Sequence, residues 1–225
     1  MGPVAVSAGV GKRVLALNAG SSSLKFGLFQ VSGDAAETLL AGEAESIGSP
    51  ASRFSAHDAN GKVIRESTQP LGDLAAAAKL VFDQLHEEMA SVEAVGHRVV
   101  HGGAHVLEHQ RLTPEVRAEL ERAKDLAPLH TPAALALIDA MVERFPALPQ
   151  IVCLDTAFHR TMPERARRLP LPAEAIEGGV QRYGAHGLSL ESAVHLMGPE
   201  LRSKSVIAHL GNGCSVTAVQ DGRSV

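Results

Sequence analysis

Tryptophan is absent from this 225-residue chain, tyrosine occurs once, and aromatic residues make up only 3% of it. With hydrophobic residues at 45%, the core must be built from Ala, Val, Leu and Ile. Basic runs are missing as well. Lys and Arg number 21 against 25 Asp and Glu, a net charge of -4. Without a cationic stretch the chain is read as having no nucleic-acid and no membrane-surface partner, and any anion site must be local. No apolar run is long enough to span a membrane. Met1–Lys12 lacks a basic start, so it does not read as a signal peptide and is read as a frayed extension. Cysteine is scarce: Cys153 and Cys214 lie far apart in apolar runs and are read as reduced core residues, which suits a reducing compartment. The length suffices for a large core in one or two domains.

The stretch around which the rest is organised is Val14 to Phe29. Val14–Leu17 is a short apolar run, as in a strand buried on both faces; Leu24, Phe26 and Leu28 recur at every second position, as in a half-buried one. Between them lie Asn18, Gly20, Ser21, Ser22, Ser23 and, one step into the second strand, Lys25. Gly20 is able to take positive φ and lets backbone approach a ligand. The hydroxyls, the turn N–H groups and the Lys25 ammonium are all donors. The tip therefore suits an anion, while an ordinary Ser/Gly hairpin has the same composition. A Walker A loop is excluded, because that motif leads into a helix and this turn leads into a strand.

Downstream, Glu37–Ile47 and Arg53–Ser67 have strand character, with Asn60-Gly61 predicted as a type I′ turn. Gly72–Ala90 is a predicted helix with Asp73 as its N-cap. Val92–His101 is a predicted strand; it carries Arg98 and Val100 into the Gly102-Gly103 pair, where a ligand can approach the backbone. Arg98 is thus either an anion-binding residue or a surface ion-pair partner. Thr113-Pro114 supplies an N-cap and an N1 proline for a helix to about Leu126. A break at Ala127–Pro132 follows, and Thr131-Pro132 opens the next helix, to Phe145. His130, inside that break, either caps the preceding helix end or lines a site. Gln150–Leu154 reads as a buried strand, and Asp155 follows it at a position that serves both active sites and helix caps. Pro163–Leu169 is read as a solvated helix. His186, flanked by Gly184 and Gly187, has little side-chain cover nearby, which favours lining a site over a place in the core.

After a predicted helix over Leu188–Gly198, the stretch Ser205–Val219 repeats the opening form of apolar strand, Gly/Asn turn and alternating strand. Setting Val206 on Val14 makes the two turns coincide, which suggests two related halves. The chain turns at Gln220–Gly222 and stops, leaving a hairpin with no sheet to join, a marginal element in isolation. Helices alternating with strands give an α/β fold.

Five strings, Asn18-Ala-Gly-Ser-Ser-Ser-Leu-Lys25, Gly96-His-Arg-Val-Val-His-Gly-Gly103, Asp155-Thr-Ala-Phe-His159, Arg182-Tyr-Gly-Ala-His-Gly187 and His209-Leu-Gly-Asn-Gly213, resemble the signatures of the acetate kinase family, in family order from about Arg13 to Val225. The resemblance implies an α/β fold of the actin/sugar-kinase/Hsp70 superfamily: a ribonuclease-H-like mixed sheet flanked by helices, as a first domain over 13–155 plus the incomplete start of a second, duplicated domain over 156–225. It implies reversible phosphoryl transfer from ATP to a short-chain carboxylate, giving ADP and an acyl phosphate, with Mg2+, in a cytoplasmic homodimer. Ser21, Ser23 and Lys25 would hold phosphate oxygens, and His209, Leu210, Gly211, Asn212 and Gly213 would form a second phosphate loop. Asn18 would sit near Mg2+ or its waters. Arg98 would grip the carboxylate, and Val100, Leu129, His130 and Ala185 would surround the acyl group. His186 would stabilise charge on the moving phosphoryl group.

The resemblance gives Asp155 an acid/base role. A carboxylate nucleophile, with a pKa of ~4.3, is already ionised at pH 7 and has no proton to lose. Orienting a metal-bound water or Arg98 is the role that chemistry leaves for Asp155. The family usually has Phe where Ala185 stands, so acetate, propionate and butyrate all remain candidate substrates. Its members continue past Val225 with an Arg at the transferring phosphate, a Glu for Mg2+ and the adenine pocket, so this chain alone is expected not to turn over. The alternative is a non-catalytic nucleotide-binding or interaction module derived from such a kinase.

Overall fold

The computed structural model describes residues 11–211 and 213–225. In chain order its elements are β1 (Lys12–Ala19), β2 (Ser23–Ser32), β3 (Ala35–Glu45), β4 (Ser52–Asp58), β5 (Val63–Gln69), α1 (Leu74–Gln84), α2 (His86–Met89), β6 (Ala94–Val99), β7 (Gln110–Arg111), α3 (Pro114–Arg122), α4 (Thr131–Arg144), β8 (Gln150–Leu154), α5 (Glu164–Arg167), α6 (Ala173–Glu177), α7 (Gly187–Met197), β9 (Lys204–Leu210), β10 (Cys214–Gln220) and β11 (Arg223–Ser224). Of the extension read at Met1–Lys12, residues 1–10 lie outside the described residues, and Lys12 opens β1. Among the described residues no helix is long and apolar enough to cross a membrane. The chain forms two compact units.

The first unit takes in the chain up to Arg98 together with Pro132–Ile151. Its strands run in the order β5-β4-β3-β2-β1-β6-β8. β1 is antiparallel to β2 and parallel to β6, so the sheet is mixed, as an α/β fold with an opening hairpin requires. Leu15, Leu17, Leu24 and Leu28 point into a core shared with Val81 and Leu85 of the α1 segment and with Leu137 and Met141 of α4. The scarce aromatics are concentrated there, with Phe26 and Phe54 stacked at 5.8 Å. Asp73 caps α1 as its sequence promises, accepting from Ala76 N at 2.8 Å. The single helix expected over Gly72–Ala90 is broken at Leu85, whose backbone leaves the helical region while its side chain is fully buried.

Asn60-Gly61 does not form the type I′ turn expected of it. Gly61 alone has positive φ (79°), and the Asp58 carboxylate accepts from both Asn60 N and Lys62 N. Gly61 N also bonds Asp58 O at 3.0 Å, and the register shifts at Ala56/His57. The result is a longer loop with a left-handed glycine and a bulge.

The second unit comprises Val99–Thr131 and Val152–Val225. Here β7 lies beside β8, and β9, β10 and β11 form a separate sheet in the order β11-β10-β9. The closing hairpin is therefore not without a sheet. Asp221 (φ 51°) and Gly222 (φ 77°) make a two-residue turn with both φ positive, the type I′ pattern, and β11 pairs back on β10. Val219 of β10 packs with Phe158 and Leu190, and Ser224 is held by the side chains of His159 and Thr161. Cys214, expected in the core, is exposed, because it lies on the outward face of β9–β10 with Val206, Leu210 and Val216; Cys153 is half-buried, and both thiols are free.

Candidate functional site

In the first unit the opening turn is closed by Gly20 N donating to Ser23 O at 2.8 Å. Gly20 does not use positive φ. A Cβ there would meet Ser23 Oγ at 2.6 Å, so a larger residue would require that hydroxyl to rotate away. Ser21 is exposed and Ser23 half-buried. Register then aligns the charged residues. Lys25 on β2 lies directly opposite Asn18 on β1 and opposite Glu43 on β3, and Arg98 Nη1 of β6 donates to Asn18 Oδ1 at 2.9 Å. Four adjacent strands thus carry Glu43, Lys25, Asn18 and Arg98 in a row. Lys25 Nζ is 3.8 Å from Glu43 Oε2, with the lysine side chain 65% exposed. Such a pair holds little energy, so an incoming polyanion can take Lys25 at small cost.

The opposite face of β6 shows why Arg98 is held where it is. His97 is buried, and its Nε2 is 2.7 Å from Gln150 Oε1. Gln150 turns its nitrogen to the carbonyls of Met141 and Phe145, which leaves its oxygen to accept from His97. Burial pushes the His97 pKa down, so the ring is a neutral strut. Alternation along the strand then presents Arg98 on the face of Asn18.

In the second unit Asp155 immediately follows β8 and is 2% exposed. Its N–H donates to Val99 O at 3.1 Å, and its carbonyl accepts from Gly187 N at 2.7 Å. The glycines flanking His186 are each required by this segment. A Cβ on Gly187 would lie 2.2 Å from Asp155 O, and one on Gly184 (φ 83°) would lie 2.3 Å from the His159 ring. His159 is itself buried. Its Nε2–H donates to Ala185 O at 3.2 Å, leaving Nδ1 to accept from the Ser224 hydroxyl at 2.9 Å; burial lowers its pKa. The loop around His186 is thereby fastened on both sides of that residue.

The His186 ring stacks on His209 at 4.2 Å and 19°. His186 Nδ1 is 3.1 Å from Ser215 Oγ, and His209 Nδ1 is 2.9 Å from Ser189 Oγ. The other ends of the two rings meet the glycine loop: a Cβ on Gly213 would lie 3.3 Å from His186 Nε2, and one on Gly211 would lie 3.9 Å from His209 Nε2. Charging both rings would set like charges about 4 Å apart, worth roughly 4 kcal/mol of repulsion at an effective dielectric of 20.

The remaining residues singled out in the sequence fall as follows. Val100 and Ala185 are half-buried, His130 and Gly211 are exposed, Leu129 is 75% and Leu210 is 79% exposed. Asn212 lies outside the described residues. A cavity of about 210 Å³ opens beside Ala185 and is lined also by Met162, Ser215 and Thr217. Asn18, Ser21, Ser23, Lys25 and Arg98 thus belong to the first unit; Val100, Leu129, His130, Asp155, Ala185, His186, His209, Leu210, Gly211 and Gly213 belong to the second. The sequence reading missed Ser215, Ser189 and His159. Only His159 left a trace there, inside Asp-Thr-Ala-Phe-His, and only Asp155 of that string was singled out.

Among the described residues no group of three His, Cys, Asp or Glu is placed to hold a metal ion. Asn18 turns its one carbonyl oxygen to a guanidinium. That hydrogen bond uses one of the two lone pairs on the amide oxygen, which lies on the strand between those of Lys25 and Arg98.

Residues 13–225 match the family model described as the Acetokinase family. The chain is 41% identical over 224 residues to the acetate kinase of Anoxybacillus flavithermus, covering 95% of this chain and 55% of that protein. Among solved structures, the acetate kinase of Porphyromonas gingivalis superposes with a TM-score of 0.82 at 33% identity, over 95% of this chain and 56% of that one. A propionate kinase from Francisella tularensis gives 0.83 at 33%, with the same coverage. The chain therefore spans about half the length of the relatives it matches.

Proposed function

This chain belongs to the acetokinase family, and we propose that the whole protein moves a phosphoryl group reversibly between ATP and the carboxylate of a short-chain fatty acid, forming an acyl phosphate. The observation that supports this most directly is the row Lys25–Asn18–Arg98 on adjacent strands beside the Ser-rich turn. It puts two cations and a set of donors on one sheet face, which is what phosphoryl transfer asks of a protein: positioning and charge neutralisation.

Ser21, Ser23 and Lys25 are proposed to hold phosphate oxygens, with His209, Leu210, Gly211, Asn212 and Gly213 as the second phosphate loop. A Lys–phosphate pair at 4 Å gains about 1 kcal/mol in water and roughly 4 kcal/mol at an effective dielectric near 20, so the gain depends on excluding water. Arg98 is proposed to take the carboxylate in bidentate fashion, with Val100, Leu129, His130 and Ala185 about the acyl group. His186 is proposed to donate to the oxygens of the moving phosphoryl group. Asp155, buried just after β8, is proposed to orient these groups rather than to accept a proton.

Magnesium, when bound, would supply neutralisation of phosphate charge, and Asn18 is proposed to lie near the ion or its waters. Acetate and propionate are both named for relatives, and the space at Ala185 supports butyrate as a third candidate. Assembly as a cytoplasmic homodimer rests on the family resemblance alone.

The test is acyl phosphate formation by the whole protein, trapped as hydroxamate, with ATP and acetate, propionate or butyrate. Carboxylate-dependent hydroxamate with at least one acid is expected, and its absence with all three would overturn the proposal.

A further inference from the structure

We propose that His109 is a positioning residue for Asp155: its ring bridges the last residue of β8 and the second turn of α7, and so sets the segment that carries Asp155 against the helix that begins beside His186. The catalytic consequence rests on the phosphotransferase reading above; the strut rests on hydrogen bonds within the second unit.

β7 is an edge strand of two residues beside β8, and His109 immediately precedes it. Leu154, the last residue of β8, is fully buried. Its N–H donates to His109 Nδ1 at 3.0 Å. The imidazole thus does at the end of β8 what a neighbouring strand does along it, and a buried N–H left without a partner is costly. A backbone N–H can only donate, so Nδ1 must offer a lone pair, and the ring carries its hydrogen on Nε2. Nε2 meets Glu191 Oε2 at 2.8 Å, and a carboxylate accepts. Both ends of the ring therefore require the same tautomer.

Glu191 lies four residues after Gly187, on the same face of α7. Gly187 N donates to Asp155 O at 2.7 Å, and Asp155 N donates to Val99 O. One face of α7 is thus tied twice to the end of β8, by main chain at Asp155 and through the His109 ring at Leu154. Leu154 N, Asp155 N and Asp155 O are all committed, and His109 is the side chain among their partners. The His109 side chain is 30% exposed and that of Glu191 46%, so the strut stands at the surface and its replacement leaves the core packing in place.

The tautomer is read by long-range ¹H–¹⁵N correlation of the whole protein labelled with ¹⁵N-histidine, the His109 signals being those lost in His109→Asn. Protonation on Nε2 alone is expected; an Nδ1-protonated ring would overturn the proposal. Hydrogen exchange of the Gln150–Asp155 segment is expected to quicken about tenfold at one amide in His109→Leu, and to stay near wild type in His109→Asn, whose side-chain oxygen falls near the place of Nδ1. Unchanged exchange in His109→Leu would also overturn the strut. In the hydroxamate assay His109→Leu is expected to lower kcat about tenfold with both KM values within twofold, and His109→Asn to restore most of it. Glu191→Gln, which still accepts from Nε2, should stay within twofold of wild type. Should His109→Leu not fold, Glu191→Leu carries the test from a half-exposed position, with an expected fall in kcat of about threefold. A wild-type kcat in the leucine variant tested would overturn the catalytic consequence. If no variant, wild type included, forms acyl phosphate while the exchange effect is seen, the kinase reading fails and the strut stands.

Discussion

Arg98 Nη1 donates to Asn18 Oδ1 at 2.9 Å, and the contact follows from strand register: β1 and β6 run parallel with Leu17 beside His97, so the next residue on each strand, Asn18 and Arg98, meet on the same face. The amide orients the guanidinium without neutralising it. Replacing it by a carboxylate would do both.

Asn18→Asp is therefore expected to capture Arg98 and also Lys25, which lies directly opposite on β2. A charge-assisted hydrogen bond contributes about 1.5–3 kcal/mol, so KM for the carboxylate should rise at least tenfold, with a smaller rise for ATP. Arg98→Lys keeps the charge but loses the planar fork, and should cost about 100-fold in kcat/KM for the carboxylate. Both are read by the hydroxamate assay on the whole protein. An unchanged carboxylate KM in both variants would remove Arg98 from the substrate.

Burial holds the His97 pKa below its ordinary value of 6.5, and the sign of the consequence is fixed. The unfolded chain binds a proton below pH 6.5 that the folded ring refuses. The contribution is therefore fully present above that pH and is lost as pH falls from 6.5 toward the folded pKa, at up to about 1.4 kcal/mol per pH unit. His101 and His159, also lowered by burial, act in the same direction. Urea midpoints should drop between pH 7 and pH 5, and His97→Gln, which can still donate to Gln150, should flatten the slope. A variant with an undiminished slope would place the pH sensitivity elsewhere.

The three glycines Gly72, Gly33 and Gly184 separate two costs of a side chain. A Cβ on Gly72 meets nothing and its φ is unremarkable; one on Gly33 also meets nothing, but φ is +59°; one on Gly184 has φ +83° and strikes the His159 ring. Alanine at Gly72 should be neutral or slightly stabilising. At Gly33 it should cost about 1–2 kcal/mol. At Gly184 it should cost more than that, because the struck ring is buried and bonded at both nitrogens. Denaturant midpoints give the ranking, and equal effects at Gly33 and Gly184 would show that His159 yields.

What could be read from the sequence was whatever is decided within a few residues. The caps at Asp73 and Thr113 formed as expected, since a cap needs only its own helix. The strands on either side of the Ser-rich turn and Asp155 just after β8 were legible from short-range alternation. Asn60-Gly61 and Asp221-Gly222 show the limit. Two similar dipeptides gave different turns because the Asp58 side chain holds Asn60 N and Lys62 N, a contact that dipeptide statistics do not contain. Ser215 and His159 were missed for a larger reason of the same kind. Nothing local marks a serine in a strand or a histidine after a phenylalanine; their meaning comes from His186, 29 and 27 residues away in sequence.

Glu43 offers the last test, because its only evident effect on the site is unfavourable. It lies opposite Lys25 on β3, with 3.8 Å between the charges and the lysine side chain 65% exposed. An exposed pair of this kind adds at most about 1 kcal/mol to stability, yet it places a negative charge beside the ammonium proposed to meet phosphate. Glu43→Gln should leave the denaturation midpoint nearly unchanged and lower KM for ATP about two- to threefold at low salt. The gain should fade as the ionic strength approaches 1 M, where the screening length is about 3 Å. Lys25→Gln should raise the same KM with the same salt dependence. If Glu43→Gln raised KM for ATP instead, the carboxylate would be a ligand-side partner, and Lys25 would be holding it in place rather than waiting for phosphate.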